Sequence, residues 1–308
     1  MKRVSLSIFM SLLLACMLQP AFAQMASKKP VGDAVYAVYK EKGIDKALEE
    51  YQTLKKKKAA DYTFDEQQLN AIGYKLMNTD NDMAAAKKVF WLNMQEYPSA
   101  VNPKDSYADV LVRMGEKDEA RTYYKAAIEE FEKKNDFERN VSRNAKSKLA
   151  LLDKKHQTFT FLTGSWAMEG IYWNEQNKEQ KDSGDVTFSF ANDMVMIVEM
   201  KQHARANSDI PGSVWVITYN AQRDVYETAW VDPSQRGLQP SVLTPQAAEG
   251  NKQIYLEEFT EDDTRYVLRH EIIPQGNTVQ WTMFESKNGQ DFRKMYQMDM
   301  SRQELSKN

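Results

Sequence analysis

The chain has 308 residues, of which 42% are hydrophobic and 28% charged, with a formal net charge of -3. That length and apolar fraction suffice to bury real cores in more than one domain. The mildly acidic balance gives no general attraction for a phosphate backbone, so nucleic-acid partners are not expected.

Lys2 and Arg3 precede a run from Val4 to Leu18 that is apolar apart from Ser5, Ser7, Ser11 and Cys16, and Ala21-Phe22-Ala23 forms a small-x-small site before Gln24. Residues 1–23 therefore read as a cleaved secretory signal, which predicts a periplasmic or secreted protein. Leu13-Leu14-Ala15-Cys16 resembles a bacterial lipoprotein cleavage site, the alternative being lipidation at Cys16. Leu at the second position fits that pattern poorly, whereas Ala21-Phe22-Ala23 is well formed. Cys16 is the sole cysteine, so cleavage after Ala23 would leave none and exclude thiol nucleophiles, thiolate metal sites and redox chemistry. Loss of Lys2 and Arg3 takes the charge from -3 to -5. No later stretch approaches the roughly 20 apolar residues of a membrane-spanning helix, so no transmembrane segment is expected.

Residues 24–155 have helical grammar. Gly73 aligns with Ala108 at an offset of 35, and Ile72 with Tyr107, Leu76 with Leu111, Ala85 with Ala120 and Val89 with Tyr124 follow it. Small residues recur where two helices must touch, and large apolar ones fill the spaces between. Val31 to Lys57 reads as a degenerate earlier copy around a turn at Gly43, and Phe137 to Leu152 as a capping helix with Val141, Ala145, Leu149 and Leu152 on one face. Asn78-Thr79-Asp80-Asn81-Asp82 alternates oxygen ligands like a calcium loop but lacks the glycine and the distant acidic ligand such a loop needs. It reads as a capped inter-helix turn.

The order large-small-x-x-large, turn, Ala-x-x-x-large-x-x-small resembles tetratricopeptide repeats, whose period is about 34 residues. Tyr62 through Phe131 is also similar to helical tails of exported serine hydrolases of the penicillin-recognising type. No Ser-x-x-Lys pair occurs in the chain, so the nucleophile and base of those enzymes are not carried over. The repeat resemblance implies a groove lined by the first helix of each pair. It places Asn70, Tyr74 and Asn78 from one copy, and Asp105, Asp109 and Arg113 from the next, where a peptide or protein partner would dock; solvated surface is the competing reading for each.

From residue 157 to 302, ahead of a tail at 303–308, the pattern alternates like β-strand. Phe159–Tyr172, Gly184–Phe190, Met194–His203, Val214–Tyr219, Val225–Val231, Ile254–Phe259, Arg265–Ile273, Val279–Glu285 and Phe292–Met300 are the runs. Turn residues at Asn220–Asp224, Gly276-Asn277 and Asn288-Gly289 separate some of them. About nine or ten antiparallel strands without helices predict a closed barrel or a deep sandwich, closure having the advantage of leaving no sheet edge.

Phe161-Leu162-Thr163-Gly164-Ser165-Trp166 resembles the Gly-x-Trp opening of lipocalin-like, or calycin, barrels. Val216–Asp232 and Trp281–Arg302 are similar to a bacterial domain family of unknown function with that architecture. The expected fold class is therefore multi-domain, all-α tetratricopeptide-like repeats followed by an all-β antiparallel lipocalin-like barrel. The resemblance implies that Gly164 and Trp166 are structural, with Trp166 closing the barrel floor beneath an arginine from the last strand, Arg302 or in reserve Arg293. Apolar stripes of the strands place Met196, Trp215, Trp230 and Trp281 as candidate ligand contacts, or as filled core, since periodicity alone does not say which face is inward. Arg269 and His270 alternate, so one of them points inside. His270 would there meet a polar headgroup or bind haem, as in some related barrels, against the plainer reading of a satisfied or exposed histidine.

His156 and His203 stand alone in sequence, so no metal site is expected and no cofactor is implied. Glu169, Glu199 and Glu258 form no diagnostic acid/base pair. With no recognisable nucleophile, phosphate loop or metal cluster, the expected function is an exported, non-catalytic binding protein. Its repeats would hold a peptide or protein and its barrel a small amphipathic ligand or a second interaction surface. The rival readings are an envelope enzyme acting on lipid or glycan at the barrel mouth, and a structural part of an envelope assembly.

Overall fold

A computed structural model describes residues 28–129, 135–174, 176–203, 212–232, 237–261 and 263–303. The leader, with Cys16 and Ala21-Phe22-Ala23, lies outside the described residues, as do residues 304–308 of the expected tail. The chain divides into two compact units between Met114 and Gly115.

In the first unit a two-residue strand β1 (Lys29–Pro30) leads into α1 (Val31–Lys42), and α2 (Ile44–Lys57) follows after Gly43 alone. Gly43 has φ 80°, a left-handed conformation that reverses the chain in one residue and that glycine adopts without strain. Strand β2 (Tyr62–Thr63) pairs in parallel with β1. Helices α3 (Glu66–Asn78), α4 (Met83–Glu96) and α5 (Asn102–Met114) complete the unit. Helix α1 packs on α2, α3 on α4, and α5 on α4. Their apolar stripes, among them Val35, Tyr51, Leu54, Leu69, Leu76, Phe90 and Leu111, are fully or almost fully buried. Asp65 and Asp82 start α3 and α4 by accepting the backbone N–H of Gln67 and Ala85. Within the polar Asn78–Asp82 turn, Asp80 accepts the Tyr36 hydroxyl at 3.0 Å and pairs with Lys40 at 3.0 Å.

Gly73 is the tightest point of this packing. A Cβ placed there would lie 2.3 Å from the ring of Phe90, which is itself fully buried and stacked edge-on to Tyr74 at 5.1 Å. Gly73→Ala gains about 1 kcal/mol of helix propensity, but overpacking a rigid ring costs about 1–3 kcal/mol. The expected outcome is a net loss of about 1 kcal/mol, readable as a lower urea midpoint with unchanged slope.

The second unit begins with α6 (Lys117–Ile128) and α7 (Asp136–Leu152), which pack together. The buried Ser142 hydroxyl donates to the Ala127 carbonyl at 2.7 Å. Ala150 of α7 belongs to the same apolar cluster as the barrel interior, and Gln222 in the turn at 221–224 donates to the Arg143 carbonyl at 3.0 Å. The unit boundary thus falls earlier than the change of sequence grammar near His156, because α7 contributes Ala150 to the barrel's apolar cluster and α6 packs on α7.

Ten antiparallel strands form a closed barrel: β3 (Gly164–Trp173), β4 (Glu179–Ala191), β5 (Val195–Gln202), β6 (Ser213–Asn220), β7 (Val225–Asp232), β8 (Gly237–Pro245), β9 (Gln253–Glu261), β10 (Thr264–Gln275), β11 (Thr278–Lys287) and β12 (Arg293–Arg302). Each pairs with its neighbour in sequence, and β12 returns to β3, so no edge is left. Two expectations need correction. The first strand begins at Gly164, not Phe159, since short 3-10 turns at Lys155–Gln157 and Thr160–Leu162 carry the chain beneath the barrel. Strand β8 was missing from the expected runs because Pro240 and its polar neighbours interrupt the alternation; it pairs nonetheless with β7 through Ala229↔Pro240.

Candidate functional site

The barrel interior is filled at one end and hollow at the other. At the filled end Trp166, Met300, Val279, Ile272, Tyr255 and Phe159 are all almost wholly buried. The Trp166 indole N–H donates to the Leu162 carbonyl at 2.6 Å. Arg302, its register partner across β3 and β12, lies 4.3 Å above the indole ring and donates to the carbonyls of Thr163 and Phe161 at 2.6 and 2.8 Å. Gly164 has φ 120°, and a Cβ there would meet the Arg302 guanidinium at 2.9 Å. Arg293 lies elsewhere, pairing with Glu285 at 2.8 Å.

Above this floor lies a partly enclosed cavity of 270 Å³. Its lining is mostly aromatic and thioether, with Trp215, Trp230, Trp281, Phe259, Met200 and Met283 among the walls. Trp215 spans the lumen, with its ring 6.0 Å from His270, near-parallel, and 5.8 Å from Trp281. Across β11–β12 the register shifts so that Met283 faces Tyr296 and Phe284 faces Lys294, leaving Met295 over. This bulge turns Met295 into the cavity wall while Tyr296 stays in the core cluster.

One wall is polar. Thr228, Ser241, Glu257, His270 and Trp281 sit on five successive strands, β7 to β11, and join into one hydrogen-bonded row. The Trp281 indole N–H donates to His270 Nδ1 at 3.1 Å. An indole can only donate, so Nδ1 must accept, and the imidazole carries its proton on Nε2. That proton faces Glu257 Oε2 at 2.8 Å. The hydroxyls of Ser241 and Thr228 donate to Glu257 Oε1. Burial pushes the Glu257 carboxyl up, but the hydrogen bond from His270, with those from the hydroxyls, outweighs it and holds the group below the ordinary carboxylate range. The buried carboxylate is therefore ionised, and among the described residues lining the cavity no lysine or arginine accompanies it.

The sequence-derived barrel candidates fall into three places. Trp215, Trp230, His270 and Trp281 line the cavity. Met196 is 2% exposed within the apolar cluster and is no part of the lining. Arg269 lies outside, its guanidinium 4.4 Å above the Phe284 ring and its Nε 3.2 Å from Glu271. His270 is thus the inward member of the alternating pair. Both of its ring nitrogens are engaged, which leaves no lone pair to ligate a haem iron. Glu257 and Ser241 were missed. Their signal was present in phase: Tyr255, Glu257 and Phe259 share one parity, so a carboxylate interrupts an apolar stripe.

In the helical unit, the Tyr74 hydroxyl donates to Asp109 at 2.6 Å, and burial, reinforced by that carboxylate, pushes the phenol up. Asp105 is buried, Asn70 is half-buried with Oδ1 lacking a hydrogen-bond partner among the described residues, and Asn78 and Arg113 are exposed. Of these candidates, Tyr74 and Asp109 are joined by a direct hydrogen bond. No group of three or more His, Cys, Asp or Glu positioned to hold a metal occurs among the described residues, and no described helix is long and apolar enough to cross a membrane.

No family model and no curated protein sequence matches the chain. Among solved structures, the crystal structure of Rv2717c from M. tuberculosis is similar, at 15% identity over 48% of this chain and 96% of that one, with a TM-score of 0.35.

Proposed function

We propose that the protein is an exported binding protein whose lipocalin-like barrel carries a small amphipathic molecule and whose tetratricopeptide-like helices dock a peptide or protein. The observation that carries the first half is the 270 Å³ cavity, apolar over most of its wall and polar along one row. Small-molecule sites combine these two features, a large apolar surface for affinity and a few fixed polar groups for orientation. Chemistry is less well supported. His270 and Glu257 are bound to each other and to Trp281, Ser241 and Thr228, so the site's acid and base are tied into the wall. Docking by the helices is supported by the repeat spacing of 35 residues, and export by the Lys2-to-Ala23 leader, with a lipidated Cys16 as the alternative anchor.

Native mass spectrometry of the purified full chain, with displacement of an environment-sensitive apolar dye, tests the barrel reading. Wild type is expected to bind the dye with a Kd in the micromolar range, about -8 kcal/mol. Met283→Trp, which fills the cavity from its wall, is expected to weaken dye binding at least about tenfold, near 1.4 kcal/mol. Equal binding by a folded Met283→Trp protein sinks the proposal.

A further inference from the structure

We infer that the cavity is built for an organic cation: an apolar, ring-sized body bearing a protonated amine, with the ammonium received by Glu257 and by the faces of the surrounding indoles. This deepens the barrel-binding reading and rests on it.

Three observations converge. First, the cavity wall holds one carboxylate and, among the described residues, no lysine or arginine. Because Trp281 donates to His270 Nδ1, the imidazole is neutral and does not cancel the charge of Glu257. Second, the carboxylate's hydrogen bonding is incomplete. Oε1 accepts from Ser241 and Thr228, but among the described residues Oε2 accepts only from His270, and a carboxylate oxygen has room for two donors. An ammonium N–H would complete Oε2 and neutralise a buried charge, which is expensive to leave alone. Third, Trp215, Trp230, Trp281 and Phe259 line the same space. Their ring faces attract cations, and more strongly where water is excluded. A carboxylate amphiphile such as a free fatty acid meets the opposite situation, a like charge in a low-dielectric pocket with, among the described lining residues, no lysine or arginine to receive it.

The test is calorimetric titration of the full-length mature protein at pH 7 with three probes of one shape: 1-naphthylmethylammonium, the neutral 1-ethylnaphthalene, and 1-naphthylacetate. The amine is expected to bind at least about tenfold tighter than the hydrocarbon, and the acid more weakly than either. Glu257→Gln is expected to erase the amine's advantage while leaving the hydrocarbon's affinity in place. Should that variant not fold, Trp230→Leu provides the second arm, expected to weaken the amine severalfold more than the hydrocarbon. Equal binding of amine and hydrocarbon, or tighter binding of the acid, overturns the cation assignment and leaves the pocket reading standing. Retention of the amine's advantage in a folded Glu257→Gln or Trp230→Leu protein overturns it as well. If wild type binds none of the three, both readings fall.

Discussion

Trp166→Ala is expected to destabilise the second unit by about 4 kcal/mol, the cost of emptying a large aromatic site in a packed core. Trp166 is fully buried, its N–H is spent on Leu162, and Arg302 rests on its ring. Truncation therefore removes three things together: the apolar volume that plugs the filled end, the bond that ties the 3-10 turn at Thr160–Leu162 to β3, and the platform beneath the guanidinium. Trp166→Phe restores part of the volume but neither the N–H donor nor the full platform, so about half of the loss should remain. Urea unfolding followed by near-ultraviolet circular dichroism measures both. A Trp166→Ala protein within 1 kcal/mol of wild type would mean that the floor is carried by other residues.

The second large effect concerns the polar row. His270→Leu keeps the side-chain bulk but leaves the Glu257 carboxylate without its Nε2–H donor and the Trp281 N–H without an acceptor. Stripping one partner from a buried charge costs about 3–5 kcal/mol. The double variant His270→Leu/Glu257→Leu removes the charge along with its donor and is expected to recover most of that loss.

The pH dependence distinguishes this account from simple packing damage. In the folded protein Glu257 is held below its ordinary carboxyl value, burial being outweighed by His270 and the two hydroxyls. Its contribution is therefore fully present above the unfolded carboxyl value of about 4.3 and is lost as pH falls through the lower folded value. In His270→Leu the main stabiliser of the charged form is absent. The gap in stability between wild type and variant should be widest near neutrality and should narrow once acid protonates Glu257. A gap that stays constant from pH 7 to pH 4 would place the damage in packing and not in the charge.

Much of this was legible in the residues themselves. Alternation beyond residue 157 dictates strands, because period-two apolar residues bury only on one face of a sheet, and a count near ten with no helices points to a closed barrel or a deep sandwich, closure alone leaving no edge. Gly73 and Ala108 marked close helix approaches by being small. Asp82 marked a helix start by being a good acceptor before an apolar run. The resemblance of the Gly164-Ser165-Trp166 opening to lipocalin-like barrels implies an arginine over Trp166, with Arg302, 136 positions further along the chain, as the first candidate and Arg293 as the reserve.

What stayed hidden depends on closure. Alternation assigns residues to two faces of a strand without saying which face meets the others, so Arg269 and His270 were equivalent until ten strands were joined. Nor does a stripe announce whether its space is filled. Met196 and Met200 lie on one face of β5, yet one is core and the other cavity wall, because the volume available at each level is set by side chains from strands far away in sequence. The row from Thr228 to Trp281 exists only through the register of β7 to β11. The amino-acid order determined the elements and the residues suited to bury or cap them, since those are matters of local period and side-chain chemistry. The tertiary structure decided which inward side chains meet across the lumen, and so where a lone carboxylate and an empty space fall together.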